Sequence, residues 1–272
     1  MVGRLMVLHI AIEGVDGVGK TTLTQKLYDY FQRKKYRTRI CTQPLHKPIH
    51  EILRHYNLLN HEIALIMAFD RSLTYYMEDW EQYDIIIWDR SILSSYAYNT
   101  DKNVHATYIR SINRYFPEMD LYIIINNDQV LDKPDYAVNI DYKELTEKYK
   151  KLANEYPNAV GIQYQENQQS EMFLEALNQI HERLPTCKWC GRLYTINKHH
   201  KKYCSQKCKH YSRQEQNRKH RNKYYHKYKD VLAEHEKGSL GSKGSLLHEH
   251  PHEDFDQEHQ LIVRENYRQG LL

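Results

Sequence analysis

Short apolar runs recur along the first part of the chain and predict buried β-strands. Each run is nearly free of polar residues, which is typical of strands covered on both faces of a sheet. Between the runs, apolar residues return every three or four positions, as on one face of an α-helix. The predicted strands span residues 5–12, 37–42, 83–88, 120–126 and 159–164, and the predicted helices span 21–35, 47–57, 61–80, 91–98, 104–116, 141–155 and 168–184.

The alternation of strands and helices predicts an α/β fold, with a doubly wound parallel sheet between two layers of helices. A different pattern follows Pro185 and Thr186. Residues 205–237 are basic and lack Gly and Pro, which favours a helix, and the polar stretch from Gly238 onward is typical of a disordered tail. We therefore expect three segments: an α/β domain over residues 1–186, a small finger with a basic helix over 187–229, and a polar tail over 230–272.

The charge is divided unevenly among these segments. The whole chain carries +4, but residues 187–229 hold 14 Lys and Arg against one acidic residue. Such an excess predicts a polyanionic partner for this segment. No apolar stretch is long enough to span a bilayer, and no signal peptide is visible, so we expect a cytoplasmic protein without a membrane partner.

The stretch HIAIEGVDGVGKTT contains the complete phosphate-loop pattern G-x-x-x-x-G-K-T between a predicted strand and a predicted helix. Its glycines let backbone N–H groups approach phosphate oxygens, and the helix N-terminus adds positive potential. Lys20 would place a charge at the β- and γ-phosphates of ATP, and the Thr21 hydroxyl is a ligand for Mg²⁺. We assign ATP binding to the whole loop: Gly14, Val15, Asp16, Gly17, Val18, Gly19, Lys20, Thr21 and Thr22.

Two Asp-Arg pairs are candidates for the remaining chemistry. Asp89-Arg90 ends the third predicted strand, at the edge where parallel sheets bind ligands. An acid there binds Mg²⁺ or accepts a proton from an acceptor phosphate, and an arginine clamps a second phosphate group. Asp70-Arg71 lies within a predicted helix. For both pairs the alternative is structural, with a helix-capping aspartate and a surface salt bridge.

Four segments, IEGVDGVGKTT, LIMAFDR, DRSILSSYAY and FPEMDLYIIINND, resemble the thymidylate kinase family in order and spacing, over about residues 5–184. The resemblance implies a P-loop kinase that passes the γ-phosphate of ATP to dTMP or a related nucleotide. It implies that Asp16 faces the sugar 3′-hydroxyl and that Arg71 contacts the base. It also implies that Asp89 assists Mg²⁺ or the acceptor phosphate and that Arg90 binds this phosphate, so Lys20, Asp89 and Arg90 are the predicted catalytic residues.

The chain departs from the family pattern at four places. Ser91 stands where the family usually has an aromatic residue, which predicts weaker exclusion of a ribose, and Met67 replaces a phenylalanine that stacks on the base. The stretch 42–44 lacks a phosphate-binding arginine, and the segment 127–139, where a lid would lie, has Lys133 as its only cation. The acceptor therefore stays open, and the predicted substrate-binding residues are Asp16, Met67, Arg71, Arg90 and Ser91.

Four of the five cysteines form a C-x2-C pair and a C-x3-C pair separated by thirteen residues. This spacing is typical of a tetrahedral zinc site built from two knuckles, which is closed and therefore structural. The segment also resembles small zinc-binding modules of mobile-element and phage proteins. The predicted ligands are Cys187, Cys190, Cys204 and Cys208, and a site of three cysteines and one histidine stays open because His199, His200 and His210 lie nearby.

The basic helix after the second knuckle carries Lys and Arg all around its axis, with Tyr224, Tyr225 and Tyr228 on one side together with Arg221. Cations for phosphates and rings for bases suit nucleic acid. The alternative is a solvated helix whose tyrosines pack on the kinase.

Together these patterns predict a nucleoside monophosphate kinase with structural Zn²⁺ and catalytic Mg²⁺, fused to a finger that binds nucleic acid through residues 187–229. Two other functions stay open. One is a nucleic-acid-binding protein whose P-loop domain only binds nucleotide, and the other is a deoxynucleoside kinase. A homodimer also stays open.

Overall fold

The computed structural model describes residues 7–127, 141–164, 168–194 and 202–238. The chain divides into two compact units after Pro185. In chain order the elements are β1 (Leu8–Gly14), α1 (Lys20–Arg33), β2 (Thr38–Thr42), α2 (Lys47–His55), α3 (Asn60–Met77), a 3-10 turn (Trp80–Gln82), β3 (Ile85–Asp89), α4 (Ile92–Asn99), α5 (Ala106–Ile112), β4 (Leu121–Asn126), α6 (Tyr142–Glu155), β5 (Ala159–Gln163), α7 (Gln169–Arg183) and α8 (Gln206–Gly238). None of the helices in the described ranges is both long and apolar enough to cross a membrane.

The five strands of the first unit form one parallel sheet in the order β2-β3-β1-β4-β5. β1 lies in the centre, where Ile10 pairs with Ile87 of β3 on one side and with Leu121 of β4 on the other. The chain first builds the β2-β3 side and then crosses to β4, so the order reverses beside β1. Ligand sites in such sheets lie at this reversal, outside the carboxyl ends of the strands.

Apolar side chains fill both faces of the central strands. Every residue of β1 and β3 is buried, as are the first five of β4. Each buried isoleucine contributes about 1.5–3 kcal/mol. α1 and α7 pack together against the sheet, while α4 and α6 pack together on strands of the same sheet. The predicted doubly wound α/β fold is confirmed.

Two helices end earlier than predicted, at points where a side chain forms a hydrogen bond with a backbone group. α3 ends at Met77 rather than at residue 80, and the Asp79 carboxylate accepts a hydrogen bond from the Glu81 backbone N–H (3.2 Å) to start the 3-10 turn. α5 ends at Ile112, well before residue 116, because the Asn113 amide turns back to the Ile109 carbonyl (2.8 Å). Asn in helices competes with the backbone in this way.

The second unit is small and centred on its cysteines. Cys187, Tyr194 and Cys208 are buried, and Trp189 packs against them. The turn after Cys187 is closed by the Gly191 N–H, which donates to the Cys187 carbonyl (2.9 Å). Thr186 and Leu193 form an antiparallel bridge. α8 continues through residues 230–238, so the first part of the predicted polar tail over 230–272 is helical. The rest of that tail, and residues 195–201 between the two cysteine pairs, lie outside the described residues.

Candidate functional site

The phosphate loop connects β1 to α1, and its three glycines, Gly14, Gly17 and Gly19, all have positive φ. Gly14 has a φ of 139°, and a Cβ there would lie 2.7 Å from the Ile125 carbonyl oxygen of β4. Gly19 has a φ of 80° and forms the N-cap of α1. Side chains at positive φ are strained, so glycine lets the loop run close to β4 and turn into the helix. Within the loop, Val15 and Val18 are buried, whereas Gly17, Thr21 and Thr22 are exposed.

Lys20 is the first residue of α1, and its ammonium group lies folded onto the loop. Its Nζ donates to the Val15 carbonyl oxygen (2.6 Å) and lies 3.8 Å from the Asp16 carboxylate. Burial, together with repulsion from Arg90, lowers the pKa of Lys20 to about 7, although Asp16 and Asp89 oppose this shift. The lysine is therefore held in the position from which it would meet a phosphate, at an electrostatic cost.

Thr21 and Asp89 come together across the sheet edge. The Thr21 hydroxyl donates to Asp89 Oδ2 at 2.7 Å, and Asp89 is buried at the end of β3. Oxygen ligands of this kind, a hydroxyl and a carboxylate, are the set that holds Mg²⁺ beside nucleotide phosphates. The two residues predicted as magnesium ligands thus fit this ion.

Arg90 adopts an unusual backbone conformation, with a φ of 72°. Its guanidinium pairs with the Asp16 carboxylate and lies over the ring of Tyr98, 5.2 Å from the centroid. The Tyr98 hydroxyl also donates to Asp16 (3.1 Å). Burial alone would lower the pKa of Arg90, but the surrounding Tyr98, Tyr149, Asp16 and Glu13 raise it above its ordinary value. Strained residues of this kind persist where the surroundings fix them, and they cluster at functional sites.

Glu13 is fully buried beside this turn and was not among the residues predicted from the sequence. Its Oε1 accepts hydrogen bonds from the backbone N–H and the hydroxyl of Ser91 (2.7 and 2.6 Å), and its Oε2 accepts from the hydroxyls of Ser94 and Tyr149 (2.6 and 3.4 Å). A single acidic residue near the end of an apolar strand was the available signal. Four donors satisfy the carboxylate. Two of them belong to Ser91, so Glu13 fixes the position of the residue that follows Arg90.

Ser91, predicted as a substrate-binding residue, is fully buried with its side chain directed to Glu13. The residue whose hydroxyl reaches Asp16 is instead Tyr98, which was also missed. A serine turned into the core still places no aromatic ring beside the site, so the weaker exclusion of a ribose stays a prediction.

Arg71 is also fully buried, among polar side chains of the first unit. Its guanidinium donates to Asn113 Oδ1 (2.8 Å), Gln43 Oε1 (3.1 Å) and Ser95 Oγ (2.8 Å). Burial lowers its pKa to about 10, while Glu13 and Asp70 oppose the shift. Gln43 Nε2 is buried without a hydrogen-bond partner in the described part of the chain. The side chains around Arg71 therefore include one spare donor.

The remaining predicted residues of the first unit have simpler surroundings. Asp70 is buried, and its carboxylate accepts the backbone N–H groups of Leu45 and His46 (both 3.0 Å), so it caps the segment leading into α2. This contact is the capping alternative considered above. Met67 is half-buried on α3. The lid with Lys133 lies outside the described residues, apart from Asn127 at its start.

The four clustered cysteines of the second unit bring their sulfur atoms to within 4.8 Å of one another. Cys190 Sγ lies 3.6 Å from Cys204 Sγ, which lies 3.4 Å from Cys208 Sγ. Sulfurs bound to one tetrahedral zinc at 2.3 Å stand about 3.8 Å apart. The donor set therefore fits a closed zinc site. Of the three histidines considered as ligands, His210 is exposed on α8, and His199 and His200 lie outside the described residues.

Glu13→Ala removes the acceptor of the Ser91 N–H. We predict that it lowers the free energy of unfolding by about 2–4 kcal/mol. Glu13→Gln keeps one oxygen for Ser91, so its free energy of unfolding should fall by only about 1 kcal/mol. Urea titration of each variant measures these differences. The exposed Glu118→Ala is the matched control and should be neutral. Equal stability of the two Glu13 variants would show that the hydrogen bonds to Ser91 contribute little.

Comparison with known proteins agrees with this geometry. The family model described as thymidylate kinase matches residues 12–202. A probable thymidylate kinase of Methanosphaera stadtmanae is 34% identical over 174 residues, which cover 57% of this chain and 88% of the relative. One from Saccharolobus solfataricus, named probable thymidylate kinase 1, is 32% identical over 159 residues, covering 54% of this chain and 84% of the relative.

Solved structures show the same fold. The thymidylate kinase of Ehrlichia chaffeensis superposes with a TM-score of 0.53 at 21% identity, covering 64% of this chain and 98% of that one. The thymidylate kinase of Candida albicans gives a TM-score of 0.52 at 19% identity, covering 65% of this chain and 92% of that one. The resemblance found in the sequence is thereby confirmed, and the chain belongs to the thymidylate kinase family.

Proposed function

We propose that the first unit transfers the γ-phosphate of ATP to dTMP or a closely related nucleotide. The observation that carries this proposal is the convergence of the phosphate loop with Asp89 and Arg90 at the carboxyl edge of β1 and β3. Family membership supports the same reaction. Phosphoryl transfer needs little covalent chemistry from the protein, because positioning and charge stabilisation supply most of the catalysis.

Each residue has a role that its position supports. The Lys20 ammonium exchanges its hydrogen bond to the Val15 carbonyl for contacts with the β- and γ-phosphates. The backbone N–H groups of the loop donate to the phosphate oxygens. Thr21 and Asp89 would hold Mg²⁺, which supplies charge neutralisation on the phosphates when bound. Arg90, fixed over Tyr98, binds the acceptor phosphate, and Asp16 beside it accepts a sugar hydroxyl.

The base-binding role proposed for Arg71 rests on the polar side chains around it. These include the spare donor of Gln43 and the hydroxyl of Ser95, and Met67 stands on the same helix as Arg71. A neutral pyrimidine edge, with carbonyl and imide groups, matches such a mixture of donors and acceptors.

We further propose that the second unit holds one structural zinc ion and binds nucleic acid. The sulfur distances support the zinc ion, and the excess of cations over residues 187–229 supports the polyanion. The cysteines ligate zinc as thiolates, which suits a reducing, cytoplasmic location.

A homodimer is the assembly that we propose for the first unit. Leu65, Phe69 and Tyr76 are 53%, 59% and 72% exposed. They lie within about 40° of one another around α3, which forms a single apolar line. A second copy of the same line would cover these side chains, since exposed apolar patches of this kind commonly mark interfaces.

We predict that Lys20→Met lowers the rate of ADP formation from ATP and dTMP by at least about a hundredfold, because the transferring phosphate loses its nearest cation. Lys26→Met on the same helix is the matched control and should keep the wild-type rate. ADP formed only with thymidine would favour a deoxynucleoside kinase. Nucleotide binding without any turnover would favour a nucleotide-binding protein without kinase activity.

The same Lys20→Met variant should be more stable than the wild type at pH 7, by about 2–5 °C in melting temperature. The folded protein holds Lys20 at a pKa of about 7, below its ordinary value, so the unfolded chain binds more protons above that pH. The melting temperature of the wild type therefore approaches that of the variant as the pH rises from 7 toward 10. Melting curves at several pH values measure this gap. A gap that widens with pH would contradict the low pKa.

We predict one zinc ion per chain by metal analysis, and its removal by a chelator should unfold the finger while the first unit keeps its melting transition. So short a segment cannot bury enough apolar surface by itself, and structural zinc supplies on the order of 10 kcal/mol. Cys190→Ser should lose the metal. Cys41→Ser, which changes the cysteine outside the cluster, should retain it, and an equal metal content in both variants would contradict the site.

Phe69→Glu should convert the dimer to a monomer, because a charge placed in the apolar line cannot be buried without a partner. Analytical ultracentrifugation measures the change. Leu174→Glu alters an equally exposed leucine on α7 and should leave the assembly intact. A wild-type monomer at micromolar concentration would exclude this interface.

A further inference from the structure

The exposed cations of α8 surround the helix completely. Between residues 207 and 227 they leave no gap wider than about 100° around the axis. A helix that rests on a flat anionic surface needs cations on one side only, so this arrangement favours a partner that encloses the helix. The exposed cations in this range are Lys207, Arg213, Arg218, Lys219, Arg221, Lys223 and Lys227.

These charges repel one another along the free helix. Lys219 and Lys223 are four residues apart, as are Lys223 and Lys227, and like charges at this spacing destabilise a helix. Glu215 is the one acidic residue between 206 and 227. It already pairs with Arg218 (2.8 and 3.0 Å), and Lys219 lies 3.8 Å away. A partner that supplies negative charges along both sides of α8 would therefore stabilise the helix itself.

The major groove of B-form DNA has the shape that this pattern requires. It is about 12 Å wide and admits an α-helix of about 10–12 Å diameter, with phosphates along both walls. The basic stretch of α8 is about 30 Å long, which lets several turns of the helix lie along the groove before the groove curves away around the duplex. The major groove of A-form RNA is too narrow for a helix, and a single strand offers one row of phosphates.

The finger fixes the start of α8, which gives the helix a defined direction. Cys208 is buried in the first turn, and Tyr211 stacks on Trp189 with the rings 6.3 Å apart. The Lys188 N–H donates to the Lys202 carbonyl (3.0 Å), and both lysine side chains are exposed at this end. They add two cations beside the point where α8 leaves the finger.

We infer that α8 binds lengthwise in the major groove of double-stranded DNA, with the finger as its anchor at one end. The inference rests on the proposed nucleic-acid function of the second unit and narrows it to a B-form duplex. Glutamines and asparagines such as Gln214, Asn217 and Asn222 lie between the cations on α8 and could reach base edges, while the cations hold the phosphates.

The test uses the full chain, purified with zinc, and fluorescently labelled 20-mers of one sequence as duplex DNA, single-stranded DNA and duplex RNA. Fluorescence anisotropy at several salt concentrations should show the tightest binding to duplex DNA. The plot of log K against log salt should have a slope of about −5, as expected for about six phosphate contacts. The helical circular dichroism signal should increase when duplex DNA is added.

A triple variant, Lys219→Gln, Lys223→Gln and Lys227→Gln, distinguishes binding of duplex DNA by α8 from electrostatic attraction of DNA to the whole chain. It keeps good helix formers but should reduce the salt slope by about 2–3 and weaken duplex binding at least tenfold. The matched control removes three exposed lysines of the first unit, by Lys102→Gln, Lys143→Gln and Lys151→Gln, and should leave the slope unchanged. Both triple variants should keep the wild-type rate of ADP formation, which shows that the first unit folds. They should also keep the wild-type zinc content and helical circular dichroism signal, which shows that the second unit folds.

The outcomes separate the inference from the function on which it rests. Equal or tighter binding of single-stranded DNA or duplex RNA would overturn the groove assignment but keep nucleic-acid binding. Equal loss of binding in the two triple variants would overturn the role of α8. Absence of binding to all three nucleic acids at 50 mM salt would overturn the nucleic-acid function as well, and binding to anionic lipid vesicles under the same conditions would assign the cations to a membrane.

Discussion

A carboxylate that is wholly removed from water must be given donors, and the site of this kinase is organised around that requirement at Glu13. The donors that satisfy it come from the turn after β3, from α4 and from α6. By accepting from the residue after Arg90, this carboxylate holds the strained turn against the end of β1, where the phosphate loop begins. The position of Arg90 relative to Lys20 therefore depends on a buried contact that touches no substrate.

The phosphate loop and the sheet could be predicted because short stretches of the sequence determine both. Apolar runs mark the strands, and the spacing of Gly14, Gly19 and Lys20 allows few other structures. The orientation of Ser91 could not be predicted in the same way. It depends on the left-handed backbone of Arg90, which turns the serine into the core and leaves Tyr98 beside Asp16. Spacing gives the order of residues along a turn, but tertiary contacts decide which side chains face the site.

The two units achieve stability by different physical means. The first buries five strands under helices, and its apolar core tolerates charged groups such as Arg71 because their hydrogen bonds are nearly all made. In the second, few of the described side chains are buried, and the sulfur cluster takes the place of a core. The cysteine spacing was sufficient to predict this cluster, because short-range ligand pairs need no knowledge of the remaining fold. The cations of α8 were equally visible, but their exposure around the full circumference is a structural observation.

The buried position of Lys20 has a consequence for how nucleotide binding is coupled to protons. In the free protein its amine, with a pKa near 7, is partly deprotonated in mildly alkaline solution. A triphosphate placed against it favours the charged form, so the protein takes up a proton as ATP enters. The heat of ATP binding measured by calorimetry should then vary with the ionisation enthalpy of the buffer, and the affinity for ATP should weaken as the solution becomes more alkaline.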